Sequence, residues 1–511
     1  MKYIYGLAIM SCLVLWSSCR NDFESVDSTG DLKFSKDTVF LDTIFTNIGS
    51  STYNLKVYNR SNDDINIPSI RLGEGESSNY RLNVDGIAGK VFEDIQILAK
   101  DSIFIFIETT FDINSLPGGG NTFLYTDQIL FDSGGNEQKV ELVTLVQDAV
   151  FLYPEKYSDG TYETLNLGVD ENGEDILIRG FILEDDELTF TNEKPYVIYN
   201  YAAVANNKTL NIEPGARIHF HAGSGILVSE NGSMKAIGAP SLDLEAMENE
   251  IIFEGDRLEP VFADVPGQWE TIWLTSGSTG NEFEHVTIKN GTVGILLEDS
   301  PLSLKNVQVY NNANIGILSR TGDVYAENTV VNNSGQSSLA IQLGGRYTFN
   351  HCTFGNYWTN GFRTFPTVSI DNVLETQEIV YVASLEQANF TNCIIYGNER
   401  RELSLYQNPE ADFNFNFTNS LIRFEDPNGD FSDDPLFDFA NDALYTNAVF
   451  NIDPVFQDTT LNNFNIEEGT SAAENLGVTQ TTPPVPKDLN GIDRENPSDA
   501  GAYESTVFPD K

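Results

Sequence analysis

Short runs of alternating apolar and polar residues fill the chain from Asp31 to about Gln147. Turn-forming residues separate these runs, and no run repeats its apolar residues with the 3.6-residue period of a helix. Eight such runs indicate the strands of a β-sandwich. The predicted strands cover residues 39–45, 53–58, 65–72, 80–84, 92–98, 103–109, 123–131 and 140–146.

A different pattern begins near Leu210, where mostly apolar pairs of residues, two positions apart, recur at regular intervals. A period of about 22 residues predicts a stacked β-solenoid, in which each coil lies about 4.8 Å above the previous one and buries its inner face only against its neighbours. The pairs start at Val286, Val307, Thr329, Cys352 and Cys393, with intervals of 21, 22, 23 and 41 residues, the last close to two periods.

Polar residues flank these pairs in two regular columns. Asn tolerates the left-handed backbone conformation that a sharp corner requires, and stacked amides can hydrogen-bond from coil to coil. We therefore expect a structural ladder at two corners of the solenoid. The first column is His285, Asn306, Asn328, His351, Asn392 and Asn419, and the second is Asn290, Asn311, Asn333 and Asn356.

These features resemble the right-handed parallel β-helix of the pectate-lyase-like superfamily. The resemblance covers residues 200–505, from Leu-Asn-Ile-Glu-Pro-Gly at 210–215 to Asp-Leu-Asn-Gly-Ile-Asp-Arg at 488–494 and Gly-Ala-Tyr-Glu at 501–504. It implies that the C-terminal motif finishes the last coil, because an open solenoid end must be covered.

The N-terminal strands, with Leu-Lys-Val-Tyr-Asn at 55–59 and Asp-Ser-Ile-Phe-Ile-Phe-Ile at 101–107, resemble a Hydin-type immunoglobulin-like domain. The predicted fold class is therefore all-β, an N-terminal immunoglobulin-like β-sandwich followed by a right-handed parallel β-helix. The predicted boundaries are 31–148 for the sandwich, 149–208 for a connecting and capping β segment with a hairpin tip at 170–175, and 209–505 for the β-helix with its C-terminal cap.

The first residues indicate export. A basic start, an apolar run from Ile4 to Trp16 and the small residues before Cys19 describe a signal peptide over residues 1–18. Ser-Ser-Cys resembles a bacterial lipobox, although Trp16 stands where that motif usually has Leu. The resemblance implies lipidation at Cys19, a linker over 19–30, and a protein anchored to the outer membrane and exposed on the cell surface.

The charge narrows the choice of partners. The chain has 29 Lys and Arg against 76 Asp and Glu, a formal net charge of -47. Such a surface repels nucleic acid, so we exclude a nucleic-acid role. The expected partners are the membrane, through the lipid anchor, and a glycan or an outer-membrane protein.

The pectate-lyase-like superfamily contains lyases and hydrolases, which need clustered carboxylates on adjacent coils. The strand positions of the coils hold no column of acids, so the leading hypothesis is a non-enzymatic surface lipoprotein. The alternative is a polysaccharide lyase or glycoside hydrolase of the cell envelope. These strand positions are Thr287, Gln308, Val330, Thr353 and Ile394, and the acids that stacking could bring together are Glu282, Glu284, Glu298, Asp299, Asp323 and Glu327.

Other candidate groups each have a structural alternative. An aromatic loop leaves the repeat after Asn356 and suits a sugar or protein ligand, or packs on the solenoid flank. An acidic segment has the oxygen spacing of a calcium loop, or is a solvated turn. The loop residues are Tyr357, Trp358, Phe362, Arg363 and Phe365, the acidic set is Asp426, Asn428, Asp430 and Asp433, and His219 with His221 is a weaker metal pair.

Two cysteines, Cys352 and Cys393, fall in the inward column. Two coils of separation would put them about 9.6 Å apart, too far for a disulfide. We expect them to be buried thiols.

Overall fold

The structure, a computed structural model, describes residues 25–115, 120–132, 136–170, 172–243, 246–376, 379–478 and 480–509. Over these ranges it contains 44 β-strands, five short 3-10 turns and no α-helix, so the predicted all-β class is confirmed. Within them, no helix has the length and apolar character needed to cross a bilayer. The signal peptide and Cys19 lie outside the described residues. The chain divides into two compact units, Met1–Asp148 and Ala149–Lys511.

The first unit is a β-sandwich. Its described strands form one six-stranded sheet, β1-β5-β10-β11-β3 with β8 beside β5, and one five-stranded sheet, β2-β4-β9-β6-β7. The strands are β1 Val26–Asp27, β2 Lys33–Phe34, β3 Thr38–Phe45, β4 Tyr53–Tyr58, β5 Ile65–Leu72, β6 Tyr80–Val84, β7 Ile87–Gly89, β8 Val91–Ile97, β9 Ser102–Thr109, β10 Thr122–Asp132 and β11 Gln138–Gln147.

The sandwich core follows from the two-residue alternation of its strands. In β9, for example, Ile103, Ile105 and Ile107 point inward and join one core with residues of the other sheet. All eight predicted strands are present. The segment predicted as a linker contributes β1, in which Val26 pairs with Ile65. A strand at the edge of a sheet pairs through its backbone, so polar side chains in this segment are compatible with the pairing of β1 to β5.

The second unit consists of stacked coils. Its described strands follow in chain order. They are β12 Val150–Leu152, β13 Thr164–Val169, β14 Asp175–Ile182, β15 Thr189–Phe190, β16 Tyr196–Ile198, β17 Tyr201–Val204, β18 Thr209–Ile212, β19 Arg217–Phe220, β20 Gly225–Val228, β21 Ser233–Ile237, β22 Ile251–Gly255, β23 Ile272–Leu274, β24 Asn281–Lys289, β25 Val293–Glu298, β26 Pro301–Asn312, β27 Ile315–Arg320, β28 Asp323–Glu327, β29 Val330–Ser334, β30 Leu339–Gln342, β31 Gly345–Asn350, β32 Thr353–Asn356, β33 Val368–Asp371, β34 Val373–Glu375, β35 Val380–Val382, β36 Leu385–Thr391, β37 Ile394–Gly397, β38 Leu403–Tyr406, β39 Phe413–Thr418, β40 Leu421–Ile422, β41 Tyr445–Thr446, β42 Val449–Phe450, β43 Phe456–Asp458 and β44 Asn463–Ile466.

Parallel pairing between coils forms three ladders. Ladder 1 runs β12-β16-β19-β22-β24-β26-β29-β32-β37-β40-β42, and ladder 2 runs β15-β18-β21-β24-β26-β28-β31-β36-β39-β41. Ladder 3 runs β14-β17-β20-β23-β25-β27-β30-β33-β38, and the predicted hairpin partner β13 pairs antiparallel to β14. Strands before residue 209, the predicted start of the β-helix, thus already take part in the parallel stacking. One apolar core fills the space between the ladders.

The two Asn columns lie at the corners that flank ladder 1. The first column separates ladder 2 from ladder 1, and its backbone is left-handed, with φ 50° at His285, 54° at Asn306 and 54° at His351. Amide hydrogen bonds join neighbouring coils. Asn328 Nδ2 donates to Asn306 Oδ1 at 2.9 Å, and Asn392 Nδ2 lies 2.8 Å from His351 Nε2.

The second column separates ladder 1 from ladder 3. Asn290, Asn311 and Asn333 have φ of 68°, 56° and 54°. Asn333 Nδ2 donates to Asn311 Oδ1 at 2.7 Å. Asn356 is not left-handed and instead accepts a hydrogen bond from the Ser334 backbone at 3.1 Å, because the coil opens into a loop after it.

The predicted coil count between Cys352 and Cys393 is wrong. Thr353 pairs directly with Ile394, so the two cysteines stand on adjacent coils. The 41-residue interval is one coil enlarged by a loop before Val368–Asp371 and by the antiparallel hairpin of β34 and β35. Both thiols are fully buried and free.

Aromatic side chains pack around Tyr445 in the last strand of ladder 2. The ring centroids of Phe424 and Phe437 lie 4.9 Å apart, and those of Phe439 and Tyr445 lie 5.0 Å apart. These rings extend the apolar core beyond the coils. The acidic segment at 426–433 therefore belongs to the cap of the solenoid.

Candidate functional site

The aromatic loop does not present its predicted residues as one surface. Tyr357 packs against Phe456 and Phe464, with ring centroids 6.1 and 6.0 Å away. Phe362 and Phe365 point outward, and Trp358 is half-buried. The loop therefore combines an inner aromatic anchor with two separate exposed rings.

Arg363 is internal, contrary to the prediction that it contacts a ligand. Its guanidinium donates to Glu402 Oε1 at 2.7 Å and to Oε2 at 2.8 Å, and both side chains are at most 1% exposed. It also donates to the backbone oxygens of Asn356 and Phe365. Glu402 is 39 residues away from Arg363 in sequence, so no local pattern could indicate this ion pair. The ion pair holds the loop against the coil.

The acidic segment holds a cation supplied by the chain itself. Arg401 Nη2 donates to Asp426 Oδ1 at 3.0 Å and to Asp430 Oδ2 at 2.8 Å. Asp426 also accepts hydrogen bonds from the backbone of Asp430 and Phe431, as a capping carboxylate does. Asn428 and Asp433 take no part in this arrangement. The Arg401 guanidinium therefore contacts the Asp426 and Asp430 oxygens that would coordinate the predicted calcium ion.

Both histidines of the predicted metal pair contact neighbouring oxygen atoms. His219 Nδ1 lies 3.2 Å from the Gly255 carbonyl oxygen, and His221 Nδ1 lies 2.7 Å from Asp256 Oδ2. Within the described ranges, no group of three His, Cys, Asp or Glu residues could hold a metal ion.

Five of the six acids predicted as possible catalytic groups lie on ladders 2 and 3, and Asp299 lies at the corner after β25. Lys305 stands in register between Glu284 and Glu327, one coil from each. On ladder 3, Glu298 pairs with Arg320 at 3.1 Å. Glu282 pairs with Lys235 at 3.1 Å, and Asp323 stands in register with Arg346. Basic residues of neighbouring coils therefore accompany most of these acids in the described stack.

The C-terminal segment covers the side of the coils instead of finishing the last one. The Ala502 backbone donates to Thr353 Oγ1 at 3.0 Å, and Arg494 Nη2 donates to Asn328 Oδ1 at 2.7 Å. The first contact lies on the outward column of ladder 1 and the second at the corner beside it. On this column Val330 and Ile394 are apolar and fully buried. Apolar outward residues require such a cover.

A groove remains on ladder 1 where this cover ends, and we call it the flank groove. It encloses about 310 Å³. The coils contribute Thr287, Gln308 and the corner residues His285 and Asn306, and the opposite wall consists of Leu489, Asn490 and Tyr503. Glu250, immediately before β22, lies at one end and also lines an adjoining cleft of about 190 Å³.

Several polar groups in the flank groove have no hydrogen-bond partner among the described residues. Thr287 is 4% exposed, and its hydroxyl is unsatisfied. Gln308 accepts a hydrogen bond from the Tyr310 hydroxyl but makes no donation through its amide nitrogen. The Glu250 carboxylate accepts no hydrogen bond, although its backbone oxygen accepts one from Arg217. These groups can therefore bind a ligand with both donors and acceptors.

Burial sets the protonation of the groove. It raises the pKa of Glu250, with Arg217 acting in the opposite direction. It lowers the pKa of His285, against the effect of Glu284. The imidazole is therefore neutral at pH 7, which suits its 3.2 Å contact with the Asn306 amide nitrogen. Burial likewise raises the pKa of Tyr503.

Sequence reasoning identified the coil side of the flank groove but missed Glu250 and the C-terminal wall. Glu250 lies in an irregular segment before a short strand, outside the repeat. Leu489 and Tyr503 approach His285 only through tertiary packing.

A family model described as "Right handed beta helix region" matches residues 261–375. No curated protein matches the sequence. Among solved structures, a family 123 glycoside hydrolase from Clostridium perfringens, studied for glycolipid glycan hydrolysis, is 8% identical with a TM-score of 0.16, over 24% of this chain and 30% of that chain. The VesB protease of Vibrio cholerae is 9% identical with a TM-score of 0.15, over 23% and 32%.

The chain thus spans about a third of the length of these two proteins, and TM-scores this low carry no argument about fold or activity. The family match is informative because it lies within the stacked coils. Together with the three parallel ladders, it identifies the coils of the second unit as a right-handed parallel β-helix.

Proposed function

We propose that this protein binds a neutral glycan in the flank groove of its β-helix. The observation that carries the proposal is a set of polar groups in that groove without partners among the described residues, namely the buried Thr287 hydroxyl and the half-buried Gln308 amide nitrogen and Glu250 carboxylate. Leaving the buried Thr287 hydroxyl without a partner is costly, and the two half-buried groups beside it are open to the same ligand, so together they suit a hydroxyl-rich molecule.

The walls of the groove are of mixed character. The walls are about as apolar as they are polar, because Leu489 and Tyr503 face the polar coil side. A sugar ring has an apolar face and a polar edge, so it suits such a mixed site.

The charge of the groove favours a neutral ligand. Carboxylates line it and the adjoining cleft at Glu250, Asp264 and Glu327. Its lysines are already paired, because Lys289 Nζ lies 2.8 Å from Glu254 and Lys487 Nζ lies 3.0 Å from Asp493. An acidic polysaccharide would meet uncompensated negative charge there.

Binding accounts for the groove better than hydrolysis. A glycoside hydrolase needs two carboxylates free to act on the same bond. Among the described residues of the groove and the adjoining cleft, Asp264 accepts a hydrogen bond from Asn311 at 3.0 Å, and Glu327 accepts one from the Tyr325 hydroxyl. Asp488 accepts hydrogen bonds from the backbone of Ile492 and Glu504. Of these carboxyls, Glu250 is the half-buried one without a hydrogen bond. Its raised pKa suits a general acid, and this observation keeps hydrolysis as the second candidate.

We further propose that lipidation at Cys19 anchors the protein to the outer membrane with the β-helix outside the cell. An extracellular glycan could then reach the flank groove. The support for this proposal is the lipobox-like Ser-Ser-Cys sequence after an apolar run.

The test is calorimetric titration of the purified protein with oligosaccharides of neutral α-glucans, β-glucans, mannans and xylans. We expect one of these to bind, and Glu250→Gln and Gln308→Ala each to weaken its binding about tenfold, the loss of one or two ligand hydrogen bonds. Gln342→Ala is the matched control, because this Gln also points outward but lies on ladder 3. It should leave affinity unchanged.

Reducing ends are measured in the same incubations. Their release by the wild-type protein, abolished in Glu250→Gln, would establish hydrolysis and replace the binding proposal. Absence of binding to every neutral glycan, or equal binding by all variants, would contradict the assignment of the flank groove.

A further inference from the structure

A second surface with binding character lies on the outer face of the five-stranded sheet of the sandwich. The central strand of that sheet, β9, turns its isoleucines inward and turns Phe104 and Phe106 outward. The two Phe side chains are 45% and 44% exposed. Aromatic rings left in water on a central strand are unfavourable unless something covers them.

The two rings lie side by side on this face, nearly parallel to each other, and we call the pair the platform. Their planes differ by 15°, and their centroids are 6.2 Å apart. Residues two apart on a strand point to the same side, so the backbone of β9 fixes this spacing. Parallel rings a few ångströms apart match successive rings of an oligosaccharide, whose apolar faces stack on aromatic surfaces.

Amide side chains flank the platform on both neighbouring strands. Asn54 on β4 and Asn83 on β6 are the direct cross-strand partners of Phe106. Neither side chain hydrogen-bonds to another described residue, and the Asn83 Oδ1 atom is buried without a partner. An amide carries both donors and an acceptor, so it can bind adjacent hydroxyls beside the ring.

Two cations complete the surface. Lys56 Nζ lies 5.0 Å from the ring centre of Phe104, and Arg60 Cζ lies 4.4 Å from that of Tyr58. Within the described part of the chain neither cation forms an ion pair. In a protein of net charge -47, these two cations give the face unpaired positive charge. The carboxylate of Glu108, which points to the same side of β9, is itself paired with Arg81 at 3.7 Å. At physiological salt the remaining charges act over only about 8 Å, so the local cations decide which ligands bind.

We propose that this face, defined by Asn54, Lys56, Arg60, Asn83, Phe104 and Phe106, binds an acidic glycan. Its sugar rings stack on the two Phe rings, its hydroxyls bond to the amides, and its carboxylate or sulfate groups pair with the cations. The amides distinguish this ligand from a lipid headgroup, which would engage the cations alone. The proposal is independent of the flank groove, because it concerns the other unit and ligands of the opposite charge preference.

The experiment titrates the full protein with hexasaccharides of galacturonate, hyaluronan and chondroitin sulfate, with a neutral β-glucan hexasaccharide as comparison. At least one acidic hexasaccharide should bind more tightly than the neutral one. The double variant Phe104→Ala/Phe106→Ala should lose at least tenfold in affinity. Lys56→Gln/Arg60→Gln should remove the preference for the acidic sugar.

Asn83→Ala separates binding from structural effects. It removes a buried acceptor without a partner, so it should weaken binding while leaving the thermal midpoint unchanged or higher. Phe40→Ala is the control, since Phe40 is 63% exposed but lies on the other sheet. Glu250→Gln should have no effect on acidic-glycan binding.

The proposal would be overturned if no acidic hexasaccharide bound, or if the double Phe variant bound as tightly as the wild type. It would also be overturned if sedimentation showed a dimer that the double Phe variant does not form. The same holds if anionic vesicles or a single-stranded oligonucleotide, but no glycan, bound to the wild type and not to that variant.

Discussion

Replacement of His351 by Asn should make the β-helix less sensitive to acid. His351 stands at a ladder corner, is fully buried, and has its Nε2 atom 2.8 Å from the amide nitrogen of Asn392. That amide donates to the ring only when the imidazole is neutral. Burial lowers the pKa of His351 well below its usual value, and the nearby Arg494 lowers it further.

The sign of the effect follows from where the proton binds. The pKa of His351 is lower in the folded state than in the unfolded chain, so at acid pH the unfolded chain binds the extra proton. The stability contributed by the neutral ring is therefore present above about pH 6.5, the unfolded pKa. It is lost as the pH falls from there towards the folded pKa.

One buried neutral histidine changes the free energy of unfolding by a definite amount over this pH range. A single proton bound only by the unfolded chain reduces the free energy of unfolding by about 1 kcal/mol between pH 7.5 and 5.5, and by at most about 3 kcal/mol down to pH 4.5. Asn fits the left-handed backbone at this corner and can accept the same hydrogen bond through Oδ1. Its smaller volume leaves a cavity that costs about 1–2 kcal/mol at every pH.

The assay is urea unfolding of the wild-type protein and His351→Asn at pH 7.5, 6.5, 5.5 and 4.5. The variant should be less stable at pH 7.5 and should approach or exceed the wild type at pH 4.5. His221→Asn is the control, because that ring is about half exposed. Parallel pH profiles for the wild type and His351→Asn would show that His351 does not take up the proton on unfolding.

Three further predictions concern other parts of the chain. Arg363→Ala should lower the free energy of unfolding by about 3–5 kcal/mol, because it leaves the Glu402 charge buried without its partner, and thermal or urea unfolding measures this. Cys352 and Cys393 should resist a thiol reagent in the native protein and react after denaturation, whereas rapid native labelling would show that the coils open there. Cys19→Ala should release the protein from the membrane fraction, and unchanged fractionation would contradict lipidation.

The corner residues show what a repeat reveals in a sequence. His285, Asn306 and Asn328 recur at nearly equal intervals because each coil needs a left-handed residue at the same corner. The repeating unit is local, so its period, its inward residues and its corners are all visible without tertiary information. For the same reason the eight strands of the sandwich could be predicted from alternation alone.

The enlarged coil shows where this reasoning ends. The interval between Cys352 and Cys393 matches two coils in length, but the structure has one coil with a loop and a hairpin. Length alone does not distinguish these cases, since a surface insertion leaves the stacked strands unchanged. The Arg363–Glu402 ion pair bridges the base of that loop and was invisible for the same reason.

The all-β class, the period of the coils and the left-handed corners can be predicted from local patterns, because each depends on neighbours within about one repeat. Which outward positions are covered depends instead on long-range packing. The C-terminal segment packs on Val330 and Ile394 and stops before Thr287 and Gln308, and this stop creates the flank groove beside Glu250. Such contacts join residues more than 100 positions apart and depend on shape and packing, which no local pattern records.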